Sequence, residues 1–392
     1  MRLIPEDPHP NSERNAIKSF FNHRLSPSAP QARLEWLDIV EGRHTLWIRI
    51  SSAKKELIRS FLNLLNLEIV KRARPSSTFD FQSASVGNLF LTGARLFSGS
   101  FESAIYLLAS IGGVPDNVQV VPAINSNFSH HISAGLEDGT VITGQNAISH
   151  PSAPTALPDR KSGAERRASI DTEEQEDANL PGSLHTLRKK NITFSKEQEE
   201  DLPSRIERIW YINPYGQEIR PTANPKVAEA IERAQCVIYS IGSLYTSIVP
   251  SIILRGVGQA IAKPSIRYKI LILNGSLDRE TGPSHSPLTA LDFVAAVAHA
   301  GAEGTANLDK PDPCIYRAYI THLIHLEGEG TPVVDRARLA DFGIECIRLY
   351  GRKVEGGKGM RYDGKALSQA LEAILGRRDP KMDRSRRNTL EH

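Results

Sequence analysis

Apolar residues recur at helical spacing through the first third of the chain. Ile17, Phe20 and Phe21 share one face of a helix over 12–23, with Ser12 at its N-cap and Glu13 in its first turn. A second helix runs through Leu34, Trp36 and Leu37 to Val40, and HTLWIRI (44–50) has the alternation of a strand. Leu57, Phe61, Leu64, Leu65 and Ile69 place a long helix over 54–72. A helix starts at GNLFLTGARLF (87–97) and another covers FESAIYLLASIGG (101–113), while VQVVPAI (118–124) is β-rich and broken by a proline. HISAGLEDGTVITGQNAIS (131–149) reads as a hairpin about Glu137-Asp138-Gly139.

Residues 151–205 interrupt this order. They are rich in Pro, Ser and charge, with an acidic block at Asp171, Glu173, Glu174, Glu176 and Asp177. Such a segment buries too little apolar surface to offset its ordering entropy, and is expected to be a disordered insertion. Regular structure resumes with paired strands in RIERIWYINPYGQEIRP (205–221) and a helix over 225–233. Strands and helices then alternate: strand 236–241, helix 247–262, strand 268–273, helix 288–300, strand 314–320, strand 345–349 and helix 364–375. Near-continuous apolar strands alternating with helices predict an α/β, Rossmann-like fold: a mostly parallel sheet with helices on both faces, plus the β-hairpin and the insertion. The expected organisation is one domain over 1–376, interrupted at 151–205, with a frayed basic tail over 377–392.

Composition narrows the class. The 392 residues carry 48 Lys+Arg and 45 Asp+Glu, a formal charge of +3, too balanced to call for nucleic acid or an anionic membrane. Cys236, Cys314 and Cys346 are far apart and odd in number, so no disulfide framework or CxxC zinc pair is expected, and the compartment reads as reducing and cytoplasmic. Residues 234–254 lack charge, but Gly242, Pro250 and several hydroxyls make them a strand, turn and helix rather than a membrane span.

Open parallel sheets bind ligands beyond the C-terminal ends of their strands. After strand 236–241 come Gly242, Ser243, Leu244, Tyr245, Thr246 and Ser247. A glycine turn, three hydroxyls and the N–H groups opening a helix make an anion site suited to phosphate, or else a helix cap with nothing bound. After strand 268–273 come Asn274, Asp278, Glu280 and Thr281; Asn274 and Thr281 can donate to a ligand, and Asp278 and Glu280 can hold a divalent cation or orient a hydroxyl, or form a solvated turn. His130-His131 and the His322/His325 pair are metal-like spacings without a third ligand. Within the insertion, Arg166-Arg167-Ala168-Ser169 is a basophilic-kinase pattern that makes Ser169 a phosphosite candidate.

These motifs resemble the CofD/YvcK-like family. GSLYTSIVP (242–250) is similar to that family's GPGSLYTS signature, with Ile241 in place of its proline. Gly87-Asn88-Leu89 resembles its GNLLL helix start, Val121-Pro122-Ala123 its VLPAT, Leu136–Val141 with Gly144 its LEDGT segment, and Asn274 with Glu280-Thr281-Gly282 its N–GET loop. Leu291-Asp292-Phe293 falls near its SDH segment, and the resemblance spans roughly 85–375. The family's opening GGGTG-like turn and DDGG-like acidic loop are not found, so the chain is expected to be N-terminally incomplete. The resemblance implies phospho-acyl transfer from a nucleotide-activated donor, of the 2-phospho-L-lactate transferase kind, or non-catalytic nucleotide-sugar binding of the YvcK kind. It assigns ligand contacts to Asn88, Gly242, Ser243, Tyr245, Thr246, Ser247, Asn274, Glu280 and Thr281, names no catalytic residue, and adds Mg2+ as the expected cofactor. The expected partners are a small phosphorylated or nucleotide ligand and a second copy of the chain, with no nucleic acid and no membrane.

Overall fold

The computed structural model describes residues 3–73, 79–126, 128–149, 184, 187, 201–302, 315–354 and 359–376. They fall into two compact units, Met1–Phe128 and Ser129–His392.

The first unit is helical: α1 (Glu13–Asn22), α2 (Ala29–Glu41), α3 (Ser52–Arg72), α4 (Val86–Ser98) and α5 (Phe101–Gly112). Three of these helices begin at a serine whose hydroxyl accepts an N–H of the first turn: Ser12 from Asn15, Ser85 from Asn88 and Ser100 from Ser103. Their apolar faces meet in one core, where Phe20, Phe21, Trp36 and Phe90 are fully buried. The rings of Phe21 and Phe90 lie 5.0 Å apart, and those of Phe20 and Trp47 lie 4.3 Å apart. HTLWIRI is not a strand. Thr45–Trp47 form a single tight helical turn that drives the Trp47 ring into the core, and Arg49 takes a left-handed φ of 77°, which ends any extended run. VQVVPAI is not a strand either: Pro122 has no N–H for a ladder, and Val118 and Val120 stay exposed.

Among the described residues the second unit holds three sheets. Strands β1 (His131–Leu136), β2 (Val141–Thr143), β3 (Ile206–Ile212) and β4 (Glu218–Ile219) form an antiparallel sheet in the order β2-β1-β3-β4. The expected hairpin turn is there: Asp138 Oδ1 accepts the Thr140 N–H at 2.9 Å, and Gly139 supplies a φ of 83°. Strands β5 (Cys236–Tyr239), β6 (Tyr268–Ile272), β7 (His322–His325) and β8 (Glu345–Arg348) form an all-parallel sheet in the order β5-β6-β7-β8. Helices Pro225–Arg233, Val257–Ala262, Ala290–Ala302, Arg336–Asp341 and Gly364–Ile374 accompany it. A last hairpin pairs β9 (Gly351–Lys353) with β10 (Met360–Tyr362).

The fold is thus the predicted Rossmann-like α/β arrangement, with corrections. CIYRAYI is not a strand: Tyr316–Tyr319 is a helical turn whose two tyrosines, three positions apart, both point inward. The strand comes just after it, in HLIH, where histidines at both ends mask the apolar signal. The single helix expected over 247–262 is broken: a wide turn, Leu244–Ile248, runs into Val249–Ile252, and Gly256 at φ 93° restarts the chain as Val257–Ala262. Among the described residues no helix is long and apolar enough to cross a membrane. Residues 201–205, read from sequence as part of the insertion, belong to the fold, with Leu202 only 1% exposed. The rest of the insertion, Ser169 included, lies outside the described residues apart from Leu184 and Leu187, and so does the tail after Gly376.

Candidate functional site

β5 and β6 run side by side with Tyr239 opposite Leu271, so both strands release the chain at the same sheet edge. Gly242 and Asn274 follow those partners by equal distances along their strands. Beyond Gly242 the chain enters the Leu244–Ile248 turn, and its opening N–H groups are already taken. The Tyr245 and Thr246 N–H groups both donate to Glu280 Oε2 at 3.0 Å, and the Thr246 hydroxyl donates to Glu280 Oε1 at 2.5 Å. A carboxylate of the chain itself therefore fills the place where sequence analysis put a phosphate.

Glu280 is held there by its own turn, Arg279–Thr281. Asp278 Oδ1 accepts the Glu280 N–H at 3.1 Å, and Thr281 Oγ1 accepts the Asp278 N–H at 2.7 Å, a closed capping box. Glu280 is 1% exposed. Burial pushes its carboxyl up to about 7, against the bonds from Thr246 and Tyr245, which favour the ionised form. The network suits both protonation states: when neutral, Oε1 can donate to the Thr246 hydroxyl while Oε2 keeps both N–H groups.

The predicted ligand residues therefore divide. Thr246 and Glu280 bind each other, and the Thr281 hydroxyl is engaged with the Asp278 backbone. Tyr245 is buried with its hydroxyl on the Ile206 carbonyl at 3.1 Å, and burial raises its pKa, so it packs the loop down and offers no face to a base. Ser243, Ser247 and Asn274 keep side chains that make no hydrogen bond among the described residues. Gly242 makes room for them: a Cβ there would lie 3.2 Å from Ser247 Cβ. Asn88 belongs to the helical unit, exposed in the first turn of α4 with its N–H on Ser85 Oγ. Asp278 and Glu280 do not fit the expected divalent cation. Both oxygens of Glu280 receive donors, and an Asp278 oxygen caps the turn.

Sequence reasoning missed the residues that brace this loop. Arg205 donates from Nε to the Ser286 carbonyl and from Nη2 to the Pro287 carbonyl, both at 2.9 Å, and its Nη1 lies 3.6 Å from Asp292 Oδ1. Asp292 Oδ2 accepts the N–H and the hydroxyl of Thr289. Only Asp292 had a signal, its place near the SDH-like segment; Arg205 sat at the boundary between the expected insertion and the strand segment 205–221, with nothing to mark its role.

Among the described residues neither histidine pair belongs to a cluster of three metal-ligating side chains. His322 and His325 project from opposite faces of β7, the first bonded to Thr321 and the second lying between the Leu326 carbonyl and Arg336. Among the described residues one cluster has metal-like composition: His23, Glu35 and His44 of the helical unit. Its hydrogen bonds have the wrong polarity for a metal. His44 Nδ1 accepts the Leu46 N–H at 3.1 Å, so the ring proton sits on Nε2, which lies 3.6 Å from Glu35 Oε1. A metal-ligating imidazole instead donates from its second nitrogen. His23 Nε2 lies 2.6 Å from the same Glu35 oxygen, and the Ser26 N–H holds the other. Burial holds the His44 pKa below its ordinary value. The unfolded chain then binds a proton that the native chain refuses, so this group's contribution to stability falls as pH drops below about 6.5. His44→Asn, which keeps an acceptor for the Leu46 N–H, is expected to flatten that part of the stability profile in urea melts between pH 7 and 5. An unchanged slope in the variant would remove His44 as its source.

A parallel sheet with hydroxyl and amide side chains on the loops at its C-terminal edge defines a Rossmann-like α/β protein, and comparison with known proteins gives the family. Residues 12–346 match the sequence model of the CofD family, described as 2-phospho-L-lactate transferase CofD, and the chain belongs to that family. It is 36% identical over 359 residues to the uncharacterized protein YNL011C of Saccharomyces cerevisiae, covering 85% of this chain and 79% of that one. To the gluconeogenesis factor of Bacillus subtilis it is 24% identical over 282 residues, 70% of this chain but 64% of that protein. In fold it is similar to the crystal structure of a UPF0052-family member from Bacillus halodurans, with a TM-score of 0.50 at 18% identity, covering 92% and 96% of the two chains.

Proposed function

We propose that the protein binds a phosphorylated, nucleotide-type ligand at the C-terminal edge of β5 and β6. The observation that carries this reading is the trio of uncommitted polar side chains on the two loops that leave that edge: Ser243, Ser247 and Asn274. A ligand phosphate accepts from the two hydroxyls, and the Asn274 amide both donates and accepts. Binding without turnover is the first reading, because Glu280, the nearest candidate for acid–base work, is committed to holding the loop. It agrees with the likeness to bacterial gluconeogenesis factors. The second reading, transfer of a phospho-acyl group from a nucleotide-activated donor to an acceptor hydroxyl, is favoured by the family description and by a Glu280 carboxyl pushed up to about 7, where it can exchange a proton at neutral pH.

Titration with UDP-sugars, and with nucleotide-activated phospholactate and an acceptor alcohol, each with and without Mg2+, separates the two. Saturable binding without product supports the first reading, product supports the second, and no binding of either class overturns both. The hydroxyls make a sharper test. Thr246→Ala removes a bond to buried Glu280 and is expected to lower stability by about 1–2 kcal/mol. Ser247→Ala, at an exposed hydroxyl, is expected to leave the melt within about 0.5 kcal/mol of wild type and weaken ligand binding several-fold. Unchanged affinity in Ser247→Ala would take Ser247 out of the site.

A further inference from the structure

The fold on either side of residues 150–200 grips the two loops of the candidate site. Ahead of that stretch, the short helix Gln145–Ser149 packs against both the Leu244–Ile248 turn and the Arg279–Thr281 turn. Behind it, residues 201–205 take hold of the loop that carries Glu280. Asp201 Oδ2 accepts the Ser284 N–H at 2.9 Å. Arg205 reaches two consecutive carbonyls further along the same loop, Ser286 and Pro287, with two nitrogens of one guanidinium. A guanidinium fork suits this task; the single nitrogen of a lysine cannot span both carbonyls in the same geometry.

The grip has a fixed base and a short lever. Its base is the β1–β2 turn, where the Glu137 N–H donates to the Arg205 carbonyl at 3.0 Å and the Asp138 N–H to Ser204 Oγ at 3.2 Å. Buried Leu202 anchors the strand of chain between them. On the lever side the loop closes on itself, with the Leu288 N–H on the Thr281 carbonyl at 2.7 Å and the Ser286 N–H on the Pro283 carbonyl at 2.8 Å. Gly282, at φ 95°, has no space for a Cβ, which would meet the Ser286 carbonyl at 2.9 Å. A shift of 284–287 therefore passes directly to Thr281 and to Glu280 beside it, and from Glu280 to the Tyr245 and Thr246 N–H groups.

We propose that Asp201 and Arg205 form a clamp that holds Glu280 in the position from which it orders the Leu244–Ile248 turn, making Arg205 a positioning residue for the ligand site. The ligand half of this inference rests on the reading proposed above; the mechanical half does not. Any event that moves residue 201, at the end of the 150–200 stretch, is then felt at Ser243 and Ser247 without touching them.

The test is amide hydrogen exchange on the full chain, wild type against Arg205→Lys and, in case that variant fails to fold, Asp201→Ala. The clamp predicts at least tenfold faster exchange at Ser284, Leu288, Tyr245 and Thr246, with Leu323 and Ile324 of β7 unchanged. Faster exchange confined to Ser284 and Leu288, or none at all, overturns it. So does a uniform rise that includes β7, which marks a general loss of stability. Affinity for UDP, measured in parallel, is expected to fall at least fivefold in the clamp variants. If wild type binds no UDP or UDP-sugar, the ligand reading fails, and the exchange result alone decides the clamp.

Discussion

Glu280→Ala is expected to destabilise the protein by about 3 kcal/mol or more, and Glu280→Gln by about 1 kcal/mol. The difference follows from what each leaves behind. Alanine strands the Tyr245 and Thr246 N–H groups beside a cavity, and each unsatisfied buried donor costs about 1–3 kcal/mol. Glutamine keeps an oxygen for both N–H groups and an amide to donate to the Thr246 hydroxyl. The two variants also separate the charge from the contacts. With its native carboxyl pushed up to about 7 from an ordinary 4.5, the folded chain holds a proton there that the unfolded chain has released. Stability therefore falls as pH rises through that window, and is flat with respect to this group below and above it. Glu280→Gln should abolish that fall. The His44 contribution runs the other way, so the wild-type profile between pH 5 and 7 partly cancels and each variant exposes the other group. Urea melts across that range check both; equal losses for alanine and glutamine would mean that the carboxylate is not the acceptor described.

Gly258→Ala should cost about 2–3 kcal/mol, although alanine favours a helix over glycine by about 1 kcal/mol. A Cβ at Gly258 would lie 2.0 Å from the Gly301 carbonyl oxygen and 2.7 Å from its carbon, and neither belongs to a side chain that can swing away. The layer behind is just as tight: a Cβ on Gly301 would fall 2.2 Å from the Tyr319 ring, and the Tyr319 carbonyl accepts the buried Tyr239 hydroxyl of β5. Moving Val257–Ala262 outward thus loosens the packing behind the site strand. Gly364→Ala is the control, since it opens the helix Gly364–Ile374 with nothing within 4 Å of its added Cβ, and should be neutral or slightly stabilising. Thermal melts of the pair decide it: a Gly258→Ala protein that melts with wild type would mean looser helix packing than this.

Much of the fold was legible because its signals are local. Serine caps, a glycine-bearing hairpin turn and apolar strands between amphipathic helices each spoke within a few residues. What failed locally was what depends on distant partners. Thr45–Trp47 reads as strand until the Phe20 ring that receives Trp47 is known, and CIYRAYI reads as strand until its two tyrosines are seen to share a helical face. The site followed the same rule. Position and residue types could be read at the strand ends, including the loop that carries Glu280. That Glu280 would turn inward onto Tyr245 and Thr246 could not, because cap and anion site require the same N–H groups and the choice is made by a loop more than thirty residues away. The role of Arg205, at the start of the expected strand segment 205–221, was hidden for a simpler reason: polar composition on its N-terminal side masked buried Leu202, which ties it to the fold.

The division into a helical unit and a sheet unit sets an order of events during synthesis. Met1–Phe128 is one unbroken stretch whose heaviest helix contacts join sequence neighbours, α3 with α4 and α4 with α5, the kind of topology that folds fastest. Its core, from Phe20 to Ile111, can close before β1 has left the ribosome. The sheet unit must wait, because β1 pairs with β3 across the whole 150–200 stretch, with His131 opposite Ile212. Loop closure grows only logarithmically with length, about 0.6 kcal/mol for each doubling, so that wait is long in time but small in free energy. A stretch of that size can therefore vary in length at little thermodynamic cost, and the delay before β3 arrives, with β1 paired to β2 on one edge and open on the other, is the interval in which a nascent chain of this design is most exposed to association with its neighbours.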